Sequence, residues 1–458
     1  MNAGFDKAAR RAPLQRFEGV AKGFDEALVE GRGKGRGKGR LKGFAKGIVS
    51  TTAVSIAMLA TSTPTIAAES VSVLHWWTSG GESKAIGVLK DDMTQQGFKW
   101  DDFAVAGGAG AAAMTALKAQ VIAGNAPSAA QIKGPSIQDW ADQDMLVPID
   151  SAASGWKTEL PPQIDQTMRA GKHYVAVPFS VHRINWLWIN KAALDKVGGK
   201  PPATWPEFFA LADKFRAAGI VPVAHGGQPW QDMTVWENVV LSQGPDFYRK
   251  ALIELDPKTL GSQQMVDVFT TTRKIQSYFD KGYVGRDWNL ATAMVISGKA
   301  GMQFMGDWAK GEFANANKVP GNDYVCAVTP GTANGFTYTV DSFAFFEQHG
   351  AKQASAGQIA LAKTIMSTSF QEQFSLYKGS IPVRLDVPVT KFDDCAKKSY
   401  ADEQSTLKSG GFLPSLAFGM VQSTVTAGAI TDAVTKFMNS SEDPQAGVKE
   451  LVAASKVK

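Results

Sequence analysis

Residues 75–82, HWWTSGGE, place two adjacent indoles, two hydroxyls, a double glycine and a carboxylate in one short run. Neighbouring side chains on an extended chain point to opposite faces, so Trp76 and Trp77 cannot both enter one core layer. One indole is left over for a ligand. The flat apolar face of an indole suits the C–H face of a pyranose ring, while carboxylates and ammonium groups suit its hydroxyls. Plain packing of both rings around a strand end is the competing reading. Gly80 and Gly81 weigh against it, because glycine lets backbone approach a ligand and strands of α/β sheets usually carry ligands at their C-terminal ends. Glu82 supplies the carboxylate, and Lys133 ends another short extended stretch, on the same edge if the sheet is parallel. Gly306, Asp307 and Trp308 form a second cluster of glycine, acid and indole at a strand end.

The elements that must position these groups follow from the pattern around them. Residues 71–74 form a short apolar strand, 83–96 a helix closed by Gly97, and 100–105 a second strand, an alternation that predicts a parallel sheet. Residues 108–113, GAGAAA, fit a relaxed dinucleotide fingerprint between strand and helix. The acid expected about 20 residues further on is missing, since no Asp or Glu occurs from Phe103 to Gln138, so small residues packing a helix on a sheet is the better reading. Strands over 174–179 and 182–190, with only Ser180 and Val181 between, predict a chain that passes directly from one lobe to another. Thr204 and Glu207 form a capping box that opens a helix to Ala218. Further strands are expected at 325–328 and 343–346, with Asp341 just before the latter; a helical pattern over 358–377 breaks at Lys378.

A chain of 458 residues is long enough for two domains. Its basic balance belongs to one end: residues 1–50 carry 12 Lys/Arg against 5 Asp/Glu, leaving 36 against 38 in the remainder. The basic balance therefore says nothing about a nucleic-acid partner for the folded part, and none is expected. Residues 1–40 are expected to be a disordered basic extension upstream of a true start near Leu41, with a genuine basic tail for nucleic acid as the alternative. Residues 41–68 read as a secretory signal with lysines 42 and 46, an apolar run and a small-residue end at Ala67 and Ala68. The run is too short for a stable membrane span, and no lipobox-like cysteine follows it. Two cysteines in an exported chain, Cys326 and Cys395, favour one disulfide. No metal site and no cofactor are expected. The five histidines form no HExxH or triad-like spacing, and no GxSxG elbow occurs in the mature chain, so a hydrolase would have to use carboxylates such as Glu82 and Asp307.

Eight segments in this order and spacing resemble the extracytoplasmic solute-binding proteins of ABC sugar importers, and most of all the bacterial glucose-binding proteins. They are HWWTSGGE, AGNAPSAAQIKG, VPFSVHRINWLWINK, PATWPEF, GKAGMQFMGDWAKGEF, TPGT, VDSFAFF and KGSIPVR, and the resemblance covers residues 69–458. It implies an α/β, two-lobe periplasmic-binding-protein-like fold of type II, maltose-binding-protein-like, with a hinge between lobes. Residues 69–180 with 307–343 would form lobe 1, and 181–306 with 344–458 lobe 2. The function implied is binding of a monosaccharide such as glucose in the periplasm and its delivery to the permease subunits of an ABC importer, by a monomer without membrane insertion or enzymatic activity. A secreted glycoside hydrolase, or a carrier of an oligosaccharide or polyol, is the alternative. Carried over position by position, the ligand set is Trp76, Trp77, Glu82, Lys133, Asp307, Trp308, Asp341 and Lys378, with Trp230 and Arg384 as weaker candidates. Phe418 stands where sugar-binding relatives tend to carry His.

Overall fold

Two large sheets and the small β4–β5 hairpin hold the strands of the computed structural model, which describes residues 68–458. The extension expected at 1–40 and the signal expected at 41–68, Ala68 excepted, lie outside the described residues. In chain order the strands are β1 (Ser70–His75), β2 (Lys99–Ala104), β3 (Ala129–Gln131), β4 (Arg169–Ala170), β5 (His173–Tyr174), β6 (Ala176–Arg183), β7 (Trp186–Asn190), β8 (Val221–Val223), β9 (Ala300–Phe304), β10 (Tyr324–Val328), β11 (Phe336–Phe345), β12 (Ile381–Pro382) and β13 (Phe412–Pro414). The first sheet runs β12-β6-β11-β3-β1-β2, with β13 beside β11; the second runs β10-β7-β9-β8. The pairings β1/β2, β1/β3 and β11/β13 are parallel, while β11 lies antiparallel to both β3 and β6. Every residue of β6 and β11 is buried, as central strands covered on both faces must be.

The chain passes from β6 of the first sheet directly into β7 of the second, and the break falls four residues beyond the expected Ser180 and Val181. Ile184 still donates its amide to Thr337 O of β11, so β6 keeps its pairing to Arg183 and the break falls at Ile184 and Asn185. Asn185 then fills the open backbone positions, donating to Gly335 O and to Thr332 Oγ1, both at 3.0 Å. Two other segments run between the sheets. After β9 the chain crosses through residues 305–308 to the helix Ala309–Asn315, which packs on the helix Gly80–Gln95 of the first lobe; residues 329–335 lead from β10 back to β11.

The expected grouping of segments into lobes differs from the packing in three places, one of them β13, which falls in the segment expected in the second lobe but pairs with β11 in the first sheet. Residues 344–396 were grouped with the second lobe, yet the helices Ala356–Ile365 and Thr368–Lys378 lie on the first sheet, and Leu361, Phe370, Phe374 and Ile381 enter its core. The reason is topological: β11 ends in the middle of that sheet, so the helices that follow it are the ones at hand to cover it. Conversely β10, inside the 307–343 segment grouped with the first lobe, pairs with β7 of the second sheet. The helices Thr424–Met438 and Pro444–Ala454 do pack with Pro229–Leu241 and Gln263–Gln276 in the second core.

The Thr204 capping box opens the helix Trp205–Ala217 as expected: Thr204 Oγ1 accepts from the Glu207 amide at 3.4 Å and Glu207 Oε2 from the Thr204 amide at 3.0 Å. Cys326 and Cys395 form the expected disulfide, joining β10 to the helix Asp394–Ser409, which lies along β11, β12 and β13. It therefore ties the second sheet to the flank of the first.

Candidate functional site

The C-terminal end of β1 turns into the helix Gly80–Gln95, and His75 sets that turn. Its Nδ1 accepts from the Trp77 amide at 3.2 Å while Nε2 faces Asp102 Oδ1 at 2.7 Å; burial lowers its pKa, outweighing Asp102, so the ring is neutral and donates to Asp102. The two indoles then separate as the alternation demands. Trp77 is buried in an aromatic nest of Phe179, Phe343 and Phe374, with ring centroids at 5.4, 5.8 and 5.3 Å. Trp76 faces the space between the sheets, with the Lys133 ammonium 5.3 Å from its ring. The glycines serve a different end from the one expected of them. A Cβ at Gly81 would come within 2.8 Å of the Gly311 backbone, so the close approach is to the helix Ala309–Asn315, whose Glu312 also accepts the Gly81 amide at 2.9 Å.

Between the sheets lies a cleft of about 120 Å³ bordered by Trp76, Trp77, Glu82, Lys133, Trp308, Asp341 and Lys378. That is well below the ~300–1,000 Å³ of pockets for drug-sized ligands, and it limits the occupant to a small solute. The face built on the first sheet is charged and already paired. Lys378 Nζ lies 2.9 Å from Glu82 Oε1, and Glu82 Oε2 accepts from the Ser79 amide at 3.3 Å. Lys133 Nζ lies 2.7 Å from Asp341 Oδ1, which Gln131 Nε2 also approaches at 3.2 Å; Asp341 Oδ2 meets His182 Nε2 at 2.9 Å. Burial alone would raise Asp341, but the Lys133 and His182 charges hold it well below the usual carboxylate range. Burial alone would lower Lys378, and Glu82 with Asp341 reverses this, so it stays charged.

Aromatic rings make the opposite face. Phe418 stands edge-on to Trp308 at 5.0 Å and to Trp230 at 5.8 Å, and Trp288 closes the same side. The turn carrying Phe418 is fixed from behind by the buried Glu237, whose Oε1 accepts from Leu416 N at 2.7 Å and whose Oε2 accepts from Ser415 Oγ at 2.6 Å. Where a histidine would place a donor, this chain places a phenyl ring.

Two of the expected site residues lie elsewhere. Asp307 does not border the cleft: one oxygen meets His182 Nδ1 at 2.5 Å and the other accepts the Arg183 amide at 2.9 Å, so it stands one layer behind. Arg384 is engaged by Glu159 and Asp386, at 2.9 and 2.7 Å, away from the cleft. Trp230, the other weaker candidate, does border it. His182, Gln131 and Trp288 escaped sequence reasoning. A polar side chain within an otherwise apolar strand was the available signal for His182 and Gln131; nothing around Trp288 marks it.

A family model described as bacterial extracellular solute-binding protein matches residues 97–358. A "probable sugar-binding periplasmic protein" of Brucella suis biovar 1 is 50% identical over 403 residues, 87% of this chain and 95% of that one. A protein of the same description from Rhizobium meliloti is 49% identical over 408 residues, 89% of this chain and 98% of that one. Among solved structures, the bacterial solute receptor AcbH, described as having an exclusive preference for β-D-galactopyranose, superposes with a TM-score of 0.70 at 19% identity, covering 85% of this chain and 98% of its own. Among the described residues no helix is long and apolar enough to cross a membrane.

Proposed function

The chain belongs to the bacterial extracellular solute-binding proteins, and from that premise we propose that it binds one neutral monosaccharide such as glucose in the periplasm and delivers it to an ABC importer permease. The observation that carries this reading is the pairing of a charged wall with an aromatic wall across one small cleft. Glu82, Lys133, Asp341 and Lys378 offer charge-assisted partners for adjacent hydroxyls, and Trp76 offers a plate for the ring. Lys133 is paired with Asp341 and Lys378 with Glu82, so hydroxyls can join existing pairs; Asp287, which also borders the cleft, accepts from Gln228 Nε2 at 2.7 Å and offers one more acceptor for a hydroxyl. The names of the Brucella and Rhizobium relatives point the same way.

Micromolar binding needs about 8 kcal/mol, which a few such bonds and one stack supply after ordering costs. Closure of the lobes would expel water from the cleft and present a composite surface to the permease. The hydrolase reading has less support, because Asp307 is turned to His182 and the Arg183 amide instead of facing Glu82 across the cleft.

Isothermal titration of the purified protein against a panel of sugars tests the proposal. We expect one aldohexose per chain, recovered unchanged. Lys133→Ala should weaken it roughly 10–100-fold, the value of a hydrogen bond to a charged group, about 1.5–3 kcal/mol. Product formation, or heat only with longer glycans, would reject the monosaccharide-carrier reading.

A further inference from the structure

We infer that His182 is a positioning residue of this site: as an imidazolium it holds Asp341 in the charged wall and links it to Asp307 on the segment that crosses between the lobes. The inference rests on the sugar-carrier reading for the role of the wall, and on geometry alone for the bridge.

A neutral imidazole carries one N–H and one lone pair. Here both ring nitrogens meet carboxylate oxygens, Nδ1 with Asp307 at 2.5 Å and Nε2 with Asp341 at 2.9 Å. Only the imidazolium can donate to both. The three side chains are nearly sealed from water, at 1%, 4% and 2% exposure, where a lone pair facing a carboxylate would be costly. The charge count agrees. Lys133 and Lys378 leave one of the carboxylates Glu82, Asp307 and Asp341 uncompensated, and a protonated His182 balances it.

The position in the fold gives the bridge its consequence. His182 stands at the end of β6, just before Ile184 and Asn185 carry the chain to the second sheet. Asp307 lies on the segment after β9 and is stitched to the same point: its amide donates to Arg183 O at 3.0 Å and its carboxylate accepts the Arg183 amide. The ring thus joins two crossing segments to the strand, β11, that presents Asp341.

The groups facing the ring come from several elements. On its own strand are Ser180 Oγ, 3.3 Å from Nε2, and Arg183, whose guanidinium is engaged by Asp402 at 2.5 Å. Asp341 comes from β11, Asp307 and the Trp308 ring from the segment after β9, and Lys133 and Lys378 act through Asp341. Burial lowers the pKa of the ring, yet the two carboxylates outweigh it and leave it raised above the ordinary imidazole value. This agrees with the geometry, in which both nitrogens donate, and places loss of the proton at higher pH than for a free imidazole. Binding should follow the same course, flat below that titration and weaker above it.

The test combines a spectroscopic readout with D-glucose titrations of the full-length protein at pH 6, 7.5 and 9. In ¹⁵N-histidine spectra at pH 7.5, both nitrogens of His182 should carry protons. His182→Gln should weaken glucose roughly 10–100-fold at pH 7.5 and abolish the alkaline decline. Adding Asp307→Asn, which removes the unbalanced carboxylate, should restore roughly tenfold of the loss. A neutral ring at pH 7.5, a His182→Gln protein binding within about twofold of wild type, or a double variant no better than the single one would each overturn the inference. The spectra need no variant, so misfolding of His182→Gln cannot mask the answer. If the wild-type protein binds no sugar while both ring nitrogens are protonated, the sugar-carrier reading fails and the bridge stands.

Discussion

At the scale of single residues, the same environment that balances charge in the cleft leaves one acid stranded elsewhere. Glu403, on the helix Asp394–Ser409, is buried with only the Gln404 side chain near its carboxylate, at 3.5 Å, and burial pushes its pKa up to about 8. A raised folded-state value means that the native state holds a proton the unfolded chain releases above its ordinary glutamate value. The contribution is complete below about pH 4 and declines as pH rises towards 8. Glu403→Gln should therefore stabilise the protein at pH 8 by roughly 1–3 kcal/mol and flatten its stability between about pH 5 and 8, as read from urea midpoints at both ends. An unchanged slope in the variant would show that another group is responsible. Residues of this kind mark the limit of sequence reading. Trp76 and Lys133 were legible because their types and strand-end positions announce a ligand edge. Asp307 looked equivalent to Glu82 in the chain, and only the third dimension shows His182 standing between it and the cleft.

At the scale of elements, local rules were dependable where their partners lie close in sequence. The Thr204 capping box is satisfied within four residues, and β1, β2 and the helix between them fall where periodicity placed them. The double glycine after Trp77 was legible as a demand for space but not as to what fills it, because the neighbour arrives from 230 positions away. That gives Gly81 a specific sensitivity. Its conformation suits any residue, yet a methyl group would meet the Gly311 backbone at 2.8 Å, and backbone cannot swing aside as a side chain can. Gly81→Ala should lower stability by about 1–3 kcal/mol and shift the helix that carries Glu82, so thermal melting and sugar titration should both register it. Sugar affinity and melting temperature equal to wild type would mean that the two helices can part without cost.

At the scale of the whole molecule, the two-lobe plan could be foreseen from a doubled strand, whereas the allotment of segments could not. Strand membership in one sheet or the other is decided by long-range pairing, and β10 and the helices after β11 carry no local mark of their side. The same scale governs the disulfide. Cys326 and Cys395 close a loop of 69 residues, and removing such a constraint from the unfolded chain costs about 2–5 kcal/mol. Cys326→Ser with Cys395→Ser should lose about that much in urea unfolding; an equal midpoint and slope would indicate that the sheets hold their places without the link.

The covalent tie also changes what a cut would do. The loop it encloses contains β11 and the helices Ala356–Ile365 and Thr368–Lys378, so a protease nicking any exposed stretch between the two cysteines would leave a gapped chain whose halves still travel as one species. Such clipped molecules would look intact on a gel until a thiol was added. Survival of a single scission without loss of either half follows from where one pair of sulfurs happens to lie.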